Sequence, residues 1–148
     1  MKILVTGFTP FGIKGFIFNR NESQEIALKL KEKYGFEVII LPVDDSCVSL
    51  LRKKIKEYKP EVIISLGQGD GFRIETRCTR KNRELSSNIA KEIKDYFGFT
   101  EEKIGEWYCN DVYFESLSKV QNTFFIHVPL FTPFKKVDKI IEYGMQIL

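Results

Sequence analysis

Three side chains in this sequence have the types needed to activate a nucleophile. Cys109 lies in GEWYCNDVYFESL (Gly105–Leu117), where an irregular stretch gives way to a short amphipathic pattern. The first N–H groups of a helix are unpaired and its dipole is positive there, so a thiol in that place is favoured as thiolate. His127 ends the apolar run TFFIH just before Val128 and Pro129, and it is the sole histidine of the chain. A thiol and an imidazole can exchange a proton, provided an acceptor on the ring's far nitrogen holds its tautomer and orientation. Glu75, in FRIETRC, is the candidate acceptor: in an extended segment Arg73, Glu75 and Arg77 share one face, and flanking guanidiniums keep a carboxylate ionised. The same three residues could instead form an ion-pair ladder on an edge strand, and a histidine at a strand end can equally be a hydrogen-bonded structural group. The chemistry at stake is attack of sulfur on an acyl carbon.

Composition narrows the alternatives. The chain has 148 residues, 43% hydrophobic and 29% charged, the size and mix of one domain. Its net charge of +3 is too mild to mark a nucleic-acid binder, so nucleic acid is not expected as a partner. Arg73, Arg77, Arg80, Lys81 and Arg83 crowd together, and such a cluster reads first as a solvated, partly paired face, with a polyanion as the rival ligand. Cys47, Cys78 and Cys109 are odd in number and lack CxxC spacing, which points to reduced thiols and a cytoplasmic chain; Cys47 and Cys78 read as helix filler. One histidine cannot build a His cluster, so neither a metal nor a cofactor is expected. No apolar run approaches bilayer length, so no membrane association is expected. GQGDG (Gly67–Gly71) follows a strand, but FRIETRC after it is not helical, as a nucleotide loop requires, and no GK[ST] occurs.

The elements that must position the three residues alternate. Lys2–Thr6, Glu37–Leu41, Glu61–Leu66 and Thr123–Val128 are short apolar runs of the kind that form buried strands. Between them lie helices: one capped by Asn21 with Ile26, Ala27 and Leu30 inward, and one capped by Asp45 or Ser46 with Val48, Leu51, Ile55 and Tyr58 inward. Further helices are expected around Ser87–Phe97 (entered from about Leu85), over Cys109–Leu117 and over Phe134–Leu148, while Thr100–Glu106 has no clear period. This rhythm predicts an α/β fold, a three-layer α/β/α sandwich on a mainly parallel or mixed sheet. No linker or repeat interrupts it, so residues 1–148 are expected to form one domain.

Taken in order, these segments resemble the type I pyroglutamyl peptidases, also called pyrrolidone-carboxylate peptidases. Thr6-Gly7-Phe8-Thr9-Pro10-Phe11-Gly12 is similar to the family's TGFxPFG opening, Asn21-Glu22-Ser23 to its Asn-Pro-Ser triplet and Leu41-Pro42-Val43 to its LPV. KPEVIISLGQ (Lys59–Gln68) resembles its strand and glycine turn, Arg73-Ile74-Glu75 its segment with the acid, Tyr108-Cys109-Asn110 its nucleophile motif and Phe125–Pro129 its histidine motif. The resemblance implies a cysteine exopeptidase that removes 5-oxoproline from peptides with a blocked N-terminus, and it admits a homo-oligomer. It further implies that Cys109 is the nucleophile, His127 the base and then acid, and Glu75 the orienter. Phe8 and Phe11 would wall the lactam pocket, with Gly67, Gln68 and Arg73 as further substrate contacts, the oxyanion falling near the Cys109 N–H.

The chain departs from the family at defined places. Only 34 positions separate Glu75 from Cys109, so a segment that the family carries there is shortened. Ile13 replaces a glycine, Glu22 stands where the triplet has proline, and Gly105-Glu106-Trp107 replaces a run of small residues. The exposed aromatics expected at Phe16, Phe18 and Trp107 support the alternative: a non-catalytic or altered-specificity homologue that binds peptide termini or a protein partner.

Overall fold

In the computed structural model, residues 1–10, 20–99, 104, 105 and 107–148 are described. Strand β1 (Ile3–Phe8) runs two residues beyond its expected end and leads to helix α1 (Glu22–Tyr34). Asn21 caps α1 by accepting the Ser23 N–H, and Gly35 closes it in the left-handed region at φ 72°. Then follow β2 (Glu37–Leu41), α2 (Cys47–Tyr58) and β3 (Val62–Gln68). The chain continues through β4 (Arg73–Glu75), β5 (Arg77–Arg80), β6 (Arg83–Ser86) and α3 (Asn88–Phe97). It ends with α4 (Trp107–Lys119), β7 (Thr123–Val128) and α5 (Phe134–Gln146).

The main sheet has the order β2-β1-β3-β7-β4. Its first four strands are parallel and β4 runs antiparallel to β7 at the edge. Strands of a sheet covered on both faces must be apolar throughout, which is why ILVTGF, VIISLGQ and TFFIHV read as continuous apolar runs. Ile26 and Leu30 of α1, Ile93 of α3 and Ile140 of α5 pack on one face against Val5, Ile64, Phe124 and Ile126. Leu51 of α2 and Val112 and Phe114 of α4 pack on the other against Leu4, Ile63 and Phe125. The result is the expected three-layer α/β/α sandwich.

The region after β4 differs from expectation. Leu85, expected at a helix start, lies in β6, which forms a two-stranded antiparallel hairpin with β5 in the register Arg80↔Arg83. Cys78, read as helix filler, lies buried in β5. Ser87 accepts the Ala90 N–H and starts α3 only after the hairpin. Of the stretch Thr100–Glu106, only Ile104 and Gly105 fall among the described residues.

Candidate active site

Strand alternation decides which side chains meet. In β7, Phe124, Ile126 and Val128 belong to the core under α1, α3 and α5, so Phe125 and His127 face the α4 side. In β4, Ile74 belongs to that same α1/α3/α5 core, which sends Arg73 and Glu75 to the α4 side as well. The register sets Gly67 of β3 and Arg73 of β4 on either side of His127, and Glu75 beside Phe125. One row across three strands therefore carries a glycine, the imidazole and a guanidinium, with the carboxylate one row away.

Glu75 is 2% exposed. Its Oε1 lies 2.8 Å from His127 Nε2 and 3.7 Å from Arg73 Nη2, and its Oε2 accepts the Gly105 N–H at 2.9 Å. The imidazole contact is a close approach rather than an aligned hydrogen bond, because neither ring nitrogen has an aligned partner among the described residues. The Tyr113 hydroxyl of α4 donates to the Glu75 carbonyl at 2.8 Å, tying the carboxylate's backbone to the helix that carries the thiol. Arg77, expected to flank Glu75, does not: the strand breaks at Thr76, and Arg77 pairs with Glu84 at 3.1 Å. A surface ion-pair ladder is excluded by the burial of Glu75.

Cys109 is the third residue of α4 and partly exposed. A Cβ on Gly67 would fall 2.8 Å from its Sγ, so the missing side chain of Gly67, beside His127 in the sheet, makes room for the sulfur. Asn110 fixes this first helical turn to β5 by a two-way clasp: its side-chain amide donates to the Thr79 carbonyl at 2.7 Å and accepts the Thr79 N–H at 2.9 Å. The expectation that the helix start favours thiolate is corrected here. Burial first, and then the negative charge of Glu75, push the Cys109 thiol up to about 12, against a smaller opposing effect of Arg73. Burial and the charge of Glu75 both favour the protonated thiol.

A cavity of about 410 Å³ opens over the thiol, lined by Phe8, Asn21, Val43, Gln68, Trp107, Tyr108 and Cys109. Phe8 is held by its N–H donating to Ser23 Oγ at 2.9 Å, and Gln68 by its Oε1 accepting the Glu22 N–H at 2.9 Å. Of the residues expected to touch substrate, Phe8 and Gln68 line the cavity, and Gly67 lies under the sulfur. Arg73 stands behind, against Glu75, outside the lining. Phe11 lies outside the described residues. Asn21, Val43, Trp107 and Tyr108 are in the wall without being expected there; Asn21, Val43 and Tyr108 sit in segments that resemble the family's, and Trp107 in one that departs from it. Gly105 was also missed: a Cβ there would come within 2.6 Å of Glu75 Oε2.

Arg80 pairs with the buried Glu115, and both Arg80 and Arg83 lie over the Phe114 ring, so much of the basic cluster is engaged within the molecule. Among the described residues no group of His, Cys, Asp and Glu could hold a metal ion, and no helix is long and apolar enough to cross a membrane.

The family profile described as pyroglutamyl peptidase matches residues 1–90, which include Glu75 and precede Cys109 and His127. The chain is 41% identical over 75 residues to a pyrrolidone-carboxylate peptidase of Thermoanaerobacter sp. strain X514, covering 48% of this chain and 35% of that one. It is 34% identical over 98 residues to that of Coprothermobacter proteolyticus, covering 64% and 42%. The matched stretch thus spans between about a third and two fifths of the length of these relatives. Among solved structures, the pyrrolidone carboxyl peptidase of Thermus thermophilus superimposes with a TM-score of 0.75 at 21% identity, covering 99% of this chain and 100% of that one. That of Thermococcus litoralis superimposes with a TM-score of 0.74 at 20% identity, covering 99% and 92%. With the profile matched across most of its length and the fold shared from end to end, the chain belongs to the pyroglutamyl peptidase family.

Proposed function

We propose that this protein is a cysteine exopeptidase that removes an N-terminal pyroglutamyl group, with Cys109 as nucleophile, His127 as general base and acid, and Glu75 as orienter. One observation carries the reading. His127 and Glu75 lie 2.8 Å apart on one face of the sheet, and Cys109 sits over Gly67, the sheet neighbour of His127, where it lines a cavity walled by Phe8 and, among the described residues, by no charged side chain. A neutral, compact lactam suits such a wall, with the Asn21 and Gln68 amides as hydrogen-bond partners. The same reading takes residues 1–148 as a single peptidase domain, in which the β5–β6 hairpin and α3 occupy the shortened interval between Glu75 and Cys109.

The chemical steps balance as follows. The Cys109 thiol gives its proton to His127 as sulfur bonds to the pyroglutamyl carbonyl carbon. The oxyanion then falls near the N–H groups that open α4. Collapse breaks the C–N bond, and the imidazolium returns the proton to the leaving amine. Water next attacks the thioester through His127, the C–S bond breaks and the thiol recovers its proton, releasing pyroglutamate. With the thiol's pKa raised by burial and by Glu75, its proton passes to His127 in the course of the reaction. Glu75 favours that transfer by stabilising the imidazolium.

Hydrolysis of a pyroglutamyl aminocoumarin amide tests this. The expected result is turnover that drops about a thousandfold or more in Cys109→Ala. Turnover that survives in that variant would overturn the assignment of the nucleophile. The exposed Trp107 ring beside the cavity favours a second reading, binding without turnover. That reading predicts saturable binding of a pyroglutamyl peptide with no cleavage by either protein.

A further inference from the structure

Trp107 is the sole tryptophan of the chain, and its side chain sits at the mouth of the cavity over Cys109 while 79% exposed. Its backbone is in the left-handed region at φ 58°. A bulky residue is disfavoured there, and such outliers persist where the surroundings impose them, most often at ligand sites. A large apolar ring held in water by a disfavoured backbone has no reason in the packing of the fold.

The neighbouring wall is fixed. The Tyr108 hydroxyl donates to Asp45 Oδ1 at 3.0 Å, joining the start of α4 to the segment between β2 and α2, and Val43 of that same segment continues the wall. The cavity is of the size that encloses a whole small ligand, larger than one five-membered ring requires. Phe8 is 3% exposed and marks the inner end, whereas Trp107 marks the solvent end. A pyroglutamyl ring against Phe8 with its carbonyl carbon at the sulfur directs the next residue outward, past Tyr108 and Trp107.

Resting on the peptidase reading above, we propose that Trp107 and Tyr108 form a second subsite that selects an aromatic or bulky apolar side chain on the residue following pyroglutamate. Offset stacking of an aromatic side chain on the exposed indole would bury the ring that the fold leaves in water. Such a contact adds selectivity without touching the reacting atoms.

The test compares pyroglutamyl-phenylalanine amide with pyroglutamyl-alanine amide. In the native protein kcat/KM should favour the phenylalanine peptide by roughly tenfold or more, and in Trp107→Ala that ratio should fall toward one. Trp107→Gly should lose the ratio equally while melting no lower than the native protein, because glycine adopts the positive φ freely. In Cys109→Ala, the emission of the single tryptophan should change on titration, with tighter binding of the phenylalanine peptide. If neither peptide is hydrolysed, the peptidase reading fails while this titration still decides the subsite. Equal rates in the native protein, a ratio unchanged in both Trp107 variants, or equal binding in the titration would overturn the subsite.

Discussion

Gly105 donates its backbone N–H to Glu75 Oε2 at 2.9 Å, across 30 positions of sequence. The contact seats the carboxylate that faces His127, and it lies only four residues before the thiol. Any side chain at Gly105 would intrude on that carboxylate, since even a Cβ falls 2.6 to 2.9 Å from its oxygens and Cδ. Gly105→Ala should therefore lower kcat by about 10- to 100-fold, with KM for a pyroglutamyl amide little changed, because misplacing an orienting group disturbs the transition state more than binding. Steady-state kinetics checks this, and a variant with native kcat would show that the seat of Glu75 is immaterial.

Glu75→Gln keeps the volume and removes the charge. If the carboxylate orients the imidazole and stabilises its cation, kcat should fall by about 10² to 10⁴ while the fold persists. Kinetics paired with a thermal melt reads both. A loss of activity explained by unfolding at the assay temperature would remove the case for a specific role.

Much of this arrangement was legible in the sequence because it follows from apolar runs and alternation. TFFIHV had to be a buried strand, and a buried strand sets His127 on the same face as Phe125. The short helix after Gly105 had to begin near Cys109. What escaped depends on contacts that no local pattern encodes. The Lys81-Asn82 turn between β5 and β6 lacks the glycine that usually announces a hairpin, with Lys81 itself at φ 53°. Arg77 looked like a partner of Glu75 only on the assumption that the strand runs straight through Thr76. The raised pKa of the thiol follows from its burial, which the position of Cys109 at a helix start does not reveal.

The raised thiol makes a distinct reactivity pattern. Cys47 and Cys78 are fully buried, and burial pushes them up to about 11 and about 12. Cys109 alone of the three is partly exposed. Iodoacetamide should label Cys109 alone in the folded protein. The reaction should be slow at pH 7, below that of an ordinary cysteine of pKa ~8.5, and should rise about tenfold per pH unit from there without levelling off near pH 9, as thiolate is the reacting form. Peptide mapping by mass spectrometry checks both site and rate. Fast labelling at pH 6 would mean that the resting site already holds a thiolate.

Glu115 anchors α4 from behind the site. It is 1% exposed, and its carboxylate accepts from Arg52 at 2.8 and 3.2 Å and from Arg80 at 3.1 Å. Burial alone would raise its pKa, but the two guanidiniums outweigh it and hold the group below its ordinary value of 4.5. A depressed carboxylate contributes stability that is complete above the unfolded pKa and is lost as pH falls through the folded one. The arginine ends are partly exposed, which screens the pair, so Glu115→Gln should cost about 1–2 kcal/mol at pH 7, or roughly 3–8 °C in Tm. Melts at pH 7 and pH 3 should show that gap shrinking in acid, because the native carboxylate is then losing its charge as well. A gap of the same size at both pH values would mean that Glu115 acts through shape alone and that its ion pairs do not hold the thiol-bearing helix in place.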